Sequence, residues 1–172
     1  MGRFDFETGV SNPECGTSAT VLEAIGEVVN CFEQLDDQIS NAISFLLRRG
    51  DAIGRIVTAE LSFRAKVNLL SVLFGNERPD SQSLRELREL CVAFLHVEER
   101  RNQFIHSTWQ HDLEGPSMVR VKHTARGKHG LRTSTEALAP DQADGLWQHC
   151  AYLDWSLDDL MFSEFGSEYG EP

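Results

Sequence analysis

The amino-acid sequence predicts an all-α fold: an antiparallel bundle of four to five helices, with a short β-hairpin or ordered loop inserted before the last helix. Two observations predict this class. Long stretches of the chain carry apolar residues at alternating three- and four-residue steps, which is the spacing of helices packed along one side. The connections between these stretches are short, apart from one segment that alternates as a β-strand does. With 172 residues, the chain is long enough to bury a core as one domain.

The first 47 residues contain an arm and the first helix. Residues 1–20 are rich in Gly, Asn, Pro, Ser and Thr and show little periodicity, so we expect a flexible N-terminal arm. The helix follows from about residue 21 to residue 47. Its apolar stripe consists of Val28, Phe32, Leu35, Ile39, Ala42 and Leu46. Residues 48–51 then combine two arginines, a Gly C-cap and an Asp N-cap, so one helix ends there and the next begins.

Two further helices are expected on either side of a connector that contains Pro79. The second helix runs to about Phe74, and Glu60 falls on its apolar face. That face consists of Ile53, Ile56, Phe63, Val67, Leu70 and Phe74. The third helix runs from about residue 84 to residue 109. Its stripe begins with Leu84, Leu87, Cys91 and Phe94.

The last third of the chain holds the inserted segment, the last helix and a tail. Within residues 110–140, residues 118–122 and 131–135 alternate around Gly127 and Gly130, which indicates a short hairpin or an ordered loop. Pro140 opens the last helix. Its stripe consists of Leu146, Cys150, Leu153, Leu157 and Leu160. We expect a single bundle domain over residues 21–165 and a frayed acidic tail over residues 166–172.

Charge and cysteine content restrict the environment and the partners. The net charge of −11 argues against broad, nonspecific attraction to nucleic acid. A local basic segment without acidic residues is compatible with a specific phosphate-bearing partner or with a solvated hairpin; it contains Arg120, Lys122, Arg126, Lys128 and Arg132. The scattered cysteines, Cys15, Cys31, Cys91 and Cys150, fit a reducing compartment. No apolar run approaches the roughly 18 residues of a membrane span, so we expect a cytoplasmic protein without membrane contact.

Several common chemistries lack their motif. The sequence contains no GxxxxGK[ST] phosphate loop, GxGxxG turn, HExxH zinc helix, EF-hand loop or GxSxG nucleophile elbow. The histidines do not pair with cysteines at zinc-binding spacing, so we predict no metal and no cofactor. Trp109, Trp147 and Trp155 are interpreted as core or interface aromatics rather than platforms for stacked bases.

The end of the third helix is the part that packing alone does not explain. In the rhythm of its stripe, the positions after Phe94 are Glu98, Arg101 with Asn102 beside it, and Ile105. A charge on a face that packs inward is unfavourable unless it is paired or has a function. The helix therefore becomes charged where packing would favour leucine.

Residues 101–106, Arg-Asn-Gln-Phe-Ile-His, resemble the Arg-polar-x3-His motif of the HEPN superfamily of helical-bundle proteins. The position of the motif late in the third long helix is also similar, as is the His-Ser-x-Trp ending at residues 106–109. The resemblance covers roughly residues 25–165 in helix pattern and is specific over about twelve residues. It implies a metal-independent endoribonuclease, often of a toxin or defence system, that works as a homodimer.

The residue types agree with that chemistry. Cleavage of RNA by its own 2′-hydroxyl needs a base, an acid for the leaving 5′-oxygen, and positive charge for the phosphorane. His106 is suited to be base or acid near neutral pH, and Arg101 offers a fork of donors to phosphate oxygens. Asn102, one turn before His106, can orient the imidazole or a phosphate. Lys122, Arg126 and Lys128 are candidate contacts to the substrate backbone.

Helix geometry predicts that the site is shared between two chains. Arg101 and His106 are about 140° apart on an ideal helix, which is awkward for one target. Two copies across a two-fold axis would each supply an Arg and a His to one cleft. Glu98 is expected to hold the Arg101 guanidinium, with Glu60 as a second candidate partner. Arg100 also has an allowed spacing to His106 but falls off the stripe.

Other interpretations remain open. Glu98 and Arg101 could form a buried ion pair, with His106 capping the helix end through a carbonyl. The chain could also be a non-catalytic bundle that binds a nucleotide or a protein partner. The resemblance implies an antitoxin or a nucleotidyltransferase as a possible partner. Some family members carry, two residues after the His, a Tyr whose nucleotide modification silences the toxin; Thr108 stands there, which argues against that regulation.

Overall fold

We describe the fold from a computed structural model of the chain. The description covers residues 19–48, 51–111, 118–126, 130–137 and 140–170. The helices are α1 (Ala19–Leu47), α2 (Asp51–Ala59), α3 (Phe63–Glu77), α4 (Gln82–Ile105), α5 (Pro140–Phe165) and the short α6 (Ser167–Gly170), and the strands are β1 (Thr108–His111), β2 (Met118–Arg126) and β3 (Gly130–Ala137). The described part of the chain is therefore mostly helical, with a small sheet before the last long helix. Residues 1–18 of the expected N-terminal arm lie outside it.

Four helices form the bundle, in the ring order α1–α3–α4–α5. The shared core is apolar and contains large, fully buried side chains from each of them, among them Leu35, Leu70, Phe94 and Leu157. α2 contacts α1 from the outside. These residues are those of the predicted stripes, so the helical periodicity identified the core correctly.

The directions of the helices differ from the prediction of an antiparallel bundle. α1 runs parallel to α3, because Phe32 contacts Phe63 (ring centroids 4.6 Å apart) near one end and Arg48 pairs with Glu77 at the other. α1 is parallel to α5 as well, since Gln38 bonds Asp158 and Phe45 contacts Phe165. Of the four bundle helices, α4 alone runs antiparallel to its neighbours. The reason is α2, which returns the chain along the outside of α1 before α3 begins.

The predicted second helix is two helices, separated at residues 60–62. Ser62 is the N-cap of α3, with a side chain that accepts a hydrogen bond from the Ala65 amide. α2 buries the small residues Gly54 and Thr58 against α1 and leaves Ile53 and Ile56 exposed. The assignment of these two isoleucines to the core was therefore wrong, because the break lets α2 rotate independently of α3.

The third predicted helix ends at Ile105 rather than near Trp109, which belongs to β1. The inserted segment contains an antiparallel three-stranded sheet in the order β1-β2-β3. Trp109 is opposite Arg120, and Lys122 is opposite Ser134. The predicted β-structure before the last helix is confirmed, with one more strand than a hairpin has. The description as all-α consequently applies to the bundle alone.

The end of the chain is packed where a frayed tail was expected. Tyr169 in α6 contacts the ring of Phe45 edge-on, with centroids 5.2 Å apart, and its hydroxyl accepts a hydrogen bond from Gln38. Desolvation and the nearby Asp158 and Asp154 raise the pKa of Tyr169 above its usual value. The phenol is therefore neutral at physiological pH. Only residues 171–172 of the tail lie outside the description.

Cys91 and Cys150, which the sequence placed on apolar stripes, lie against and within the core, respectively. Burial raises the pKa of the Cys91 thiol to about 11, and burial is also the main cause of the same rise at Cys150. Both are protonated at neutral pH. Within the described ranges, none of the helices combines the length and the apolar character that crossing a membrane requires.

Candidate functional site

Arg101 takes a core-facing position near the end of α4. The stripe continues from Phe94 through Val97 and Arg101 to Phe104, and the three apolar members are buried. The sequence predicted that the stripe continues through Glu98, Arg101 and Ile105. Arg101 is on the stripe, but the other two positions are Val97 and Phe104, each one residue earlier. The steps of three, four and three residues direct this side chain towards α1.

The Arg101 guanidinium has few partners for its position. It stacks over the Phe32 ring at 4.9 Å from the centroid, and Nη1 donates to Oδ1 of Asn102 at 3.1 Å. Nη2 approaches Glu33 at 3.5 Å, and that carboxylate is largely in solvent. Nε is buried without a hydrogen-bond partner among the described residues. The cation is half-buried and only partly satisfied, which is unfavourable for stability and typical of a functional group.

The end of α4 is held by the sheet. The carbonyl of Phe104 accepts from the Trp109 indole at 3.1 Å, and that of Gln103 accepts from Arg120 and from the Ser107 hydroxyl. The backbone amide of His106 donates to the Asn102 carbonyl. Carbonyls at a helix C-terminus otherwise lack partners. The strands therefore position the last turn of α4, where Asn102 and His106 lie.

A cleft of about 530 Å³ opens between α3, the end of α4 and β2. It is lined by Arg64, Glu98, Glu99, Asn102, Gln103, His106, Ser107 and Lys122. The structure thus brings Asn102, His106, Lys122 and Glu98 together, as predicted. Arg101 does not line the cleft. Arg101 reaches the cleft through Asn102. Since Oδ1 of that amide accepts from Arg101, its NH₂ group is left to donate into the cleft.

Glu98 has a different partner from the predicted one. Its carboxylate lies 3.5 Å from Arg64 of α3, and it forms no ion pair with Arg101 among the described residues. Glu60 lies exposed in the turn between α2 and α3, without a contact to Arg101. Glu33 of α1 takes the place predicted for both carboxylates. The reason is that Arg101 faces α1, whereas Glu98 faces α3.

Of the three residues predicted to contact the substrate backbone, Lys122 reaches the cleft from β2 and has no ion pair among the described residues. Strand alternation places Arg120 on the same face of β2, where it is engaged by Glu136. The side chain of Arg126 and all of Lys128 lie outside the described part of the chain. The cleft therefore carries two cations, of which Arg64 is paired and Lys122 is not.

Sequence reasoning missed Arg64 and Glu33. Arg64 is 34 residues from its partner Glu98, and Glu33 is 68 residues from Arg101. No local spacing relates such residues, because their contacts depend on how α1 and α3 pack on α4. A basic residue directly after the N-terminal Phe63 of α3 was the only local signal at that position.

The lining groups can accept, donate and transfer protons. An imidazole, two primary amides, a hydroxyl, an ammonium, a guanidinium and two carboxylates line the cleft. Among the described residues, no group of three or more His, Cys, Asp or Glu side chains could hold a metal ion. Comparison of the chain with protein-family models, with curated proteins and with solved structures gave no match. The resemblance to the HEPN superfamily thus rests on the residues that carry it.

Proposed function

We propose that this chain is a metal-independent endoribonuclease of HEPN type, related to toxin or defence systems, which cleaves RNA at a site shared across a homodimer. The observation that carries the proposal is the position of His106 and Asn102 in one cleft with Lys122, while Arg101 is hydrogen-bonded to Asn102 behind them. The motif of residues 101–106 thus forms a connected group in space.

The proposed reaction is attack by the ribose 2′-oxygen on the adjacent phosphorus. A base takes the 2′-hydroxyl proton, the new O2′–P bond forms, and the P–O5′ bond breaks as an acid protonates the 5′-oxygen. The products are a 2′,3′-cyclic phosphate and a 5′-hydroxyl. His106 is exposed at the cleft and can serve as base or acid near neutral pH.

Donors around the imidazole would stabilise the phosphorane. Lys122 supplies a positive charge that no ion pair neutralises among the described residues, and Arg64 supplies a second if its weak contact with Glu98 opens. The Asn102 amide donates to a phosphate oxygen. Arg101 acts through Asn102 in the single chain and is therefore a positioning residue there.

A homodimer is part of the proposal. Among the described residues, a single chain offers one imidazole to the cleft, whereas the reaction uses both a base and an acid. A second copy across a two-fold axis would add the other imidazole. This arrangement is expected from the resemblance and from the direction of Arg101, which points away from the His106 side of α4.

The second candidate function is binding of a single nucleotide or a protein partner without cleavage. Glu98 and Glu99 line the cleft together with Arg64 and Lys122, so the formal charges of its described lining residues balance. A balanced cleft favours a small polar ligand over a long polyanion. ATP or GTP bound without turnover of RNA would support this function instead.

The cleavage assay uses single-stranded RNA with excess chelator. We expect purified protein to produce 2′,3′-cyclic phosphate ends and His106→Ala to lower the rate at least about 100-fold, the usual scale of general acid–base catalysis. His96→Ala is the matched control, since His96 is exposed on the same helix outside the cleft. Intact cleavage by His106→Ala, or no cleavage by the wild type, contradicts the proposal. Growth arrest on expression that Arg101→Ala relieves would support a toxin role.

A further inference from the structure

α5 buries one apolar face in the core and exposes several aromatic side chains on the other side. Leu146, Leu153 and Leu157 are buried in the core. The outward stripe contains Tyr152, Trp155 and Phe162, which are 61%, 62% and 58% exposed. These aromatic residues follow the three-and-seven spacing of one helix face. Large exposed aromatics grouped on one face are typical of a protein-binding surface, because such side chains dominate interface energies.

This stripe borders a groove of about 410 Å³ between α4 and α5. Its aliphatic lining residues are Leu90 and Ala93 of α4 and Leu153 and Leu160 of α5, and the aromatic Tyr152 and Trp155 also line it. Ala93 and Ser156 are small, so the two helices leave a channel between their side chains. The channel extends from His149 to Ser163 along α5, a length of about 21 Å at helical rise.

The groove is acidic as well as aromatic. Glu86 and Glu89 of α4 and Asp159 of α5 line it, and none of the described residues that line it is a lysine or arginine. Glu86 accepts a hydrogen bond from Gln82 of its own helix, while Glu89 and Asp159 have no ion pair within the described chain. Among the described lining residues, carboxylates therefore stand on both walls without a lysine or arginine, and His149 is the one other titratable side chain besides Tyr152.

We infer that the α4–α5 groove binds an amphipathic, arginine-bearing helix of a partner protein. A guanidinium can stack on Trp or Tyr and at the same time bond a carboxylate with its planar fork, and lysine does neither as well. The aliphatic lining suits the leucine-like stripe of a helix, and the length of the channel matches about four turns. The charge of the groove selects a basic partner.

This groove is distinct from the candidate active cleft. Ala93 in the groove and Asn102 in the cleft are about 180° apart around α4, so the two surfaces lie on opposite sides of that helix. The inference consequently does not rest on ribonuclease activity. A partner could occupy the groove while the cleft stays open.

The test uses three synthetic 16-residue amphipathic helices with the same leucine stripe and with arginine, lysine or glutamate on the polar edges. We expect saturable binding of the arginine peptide by isothermal titration calorimetry at 0.15 M salt, several-fold weaker binding of the lysine peptide, and none of the glutamate peptide. Trp155→Ala should lower the affinity for the arginine peptide at least tenfold, and so should the double variant Glu89→Gln with Asp159→Asn. RNA cleavage by Trp155→Ala should equal that of the wild type.

Two control variants separate the groove from general surface effects. Val72→Ala removes an apolar side chain that is exposed on α3, and Glu23→Gln removes one negative charge exposed on α1. Both should bind the arginine peptide as the wild type does. Equal loss in the controls, equal affinity for arginine and lysine, or absence of binding overturns the inference. So does Trp155-dependent self-association in analytical ultracentrifugation, which would assign the groove to a second copy.

Discussion

Two cations of the bundle, Lys66 and Arg101, differ in how well their charges are paired. Lys66 of α3 is buried and donates to Asp36 of α1, whose carboxylate is also mostly covered. Arg101 is 22% exposed and faces Glu33, which is 62% exposed. The first pair is satisfied on both sides and holds two helices together. The second leaves Nε of Arg101 without a partner, so its charge contributes little to stability.

Replacing these two residues by apolar ones should therefore change the stability of the protein by very different amounts. We expect Arg101→Leu, which completes the stripe between Val97 and Phe104, to change the free energy of unfolding by less than about 1 kcal/mol. Lys66→Met should cost roughly 3 kcal/mol, because it leaves the mostly covered Asp36 carboxylate without its ion-pair partner. Urea denaturation followed by circular dichroism measures both.

Activity provides the second readout for Arg101. If the guanidinium positions Asn102, Arg101→Leu should lose RNA cleavage while it remains folded. An Arg101→Leu protein as unstable as Lys66→Met would show that Arg101 is a structural ion-pair residue. In that event the interpretation of the motif as a buried ion pair with a helix cap would be favoured.

At the scale of elements, the contact of α2 with α1 depends on one glycine. A Cβ at Gly54 would lie 2.0 Å from Oγ and 2.6 Å from Cα of Ser44. The second distance involves backbone, so no rotation of the serine side chain could relieve it. This close approach also explains why α2 turns its small residues inward and its isoleucines outward.

Gly54→Ala should push α2 away from α1 and destabilise the protein by about 2 kcal/mol. Gly26→Ala is the matched control, because nothing lies within 4 Å of a Cβ there and the site is an exposed position of α1. It should stabilise the protein by about 0.5–1 kcal/mol through helix propensity. Thermal unfolding by calorimetry measures both; a stabilising Gly54→Ala would contradict the packing described for α2.

At the scale of the whole molecule, the bundle presents separate surfaces on two sides of α4. The cleft lies towards α3 and the sheet, and the aromatic groove lies towards α5. Of the four bundle helices, α4 alone is antiparallel to its neighbours, so its C-terminal turn meets the N-terminal end of α3. That is why Arg64 joins the cleft.

A mixing experiment tests whether the active unit contains two chains. Wild type and His106→Ala are unfolded together, refolded at constant total concentration and assayed for RNA cleavage. If one cleft uses both imidazoles, activity should follow the square of the wild-type fraction, so an equal mixture retains about one quarter. A linear decrease to one half would show that each chain acts alone. His96→Ala mixed with wild type should leave the rate unchanged.

Periodicity in the sequence was sufficient to find the core. Phe32, Leu70, Phe94 and Leu157 are buried as their spacing predicts, because a helix face is set by residues three and four apart. The same local information located Arg101, Asn102 and His106 at one helix end. It also predicted β-structure from the alternation in the inserted segment. These properties depend on short-range geometry, which a sequence contains directly.

The tertiary structure decided the partners and the directions. Arg101 meets Glu33 and Phe32 instead of Glu98 or Glu60, and Arg64 enters the cleft, because helix packing brings distant residues together. The break before Ser62 made α1 and α3 parallel and exposed Ile56, although the apolar pattern continued across it. A long charged side chain pairs with whichever opposite charge the packing of the helices brings within reach. Their pairing is therefore a property of the assembled bundle, whereas burial of an apolar stripe is already a property of each helix.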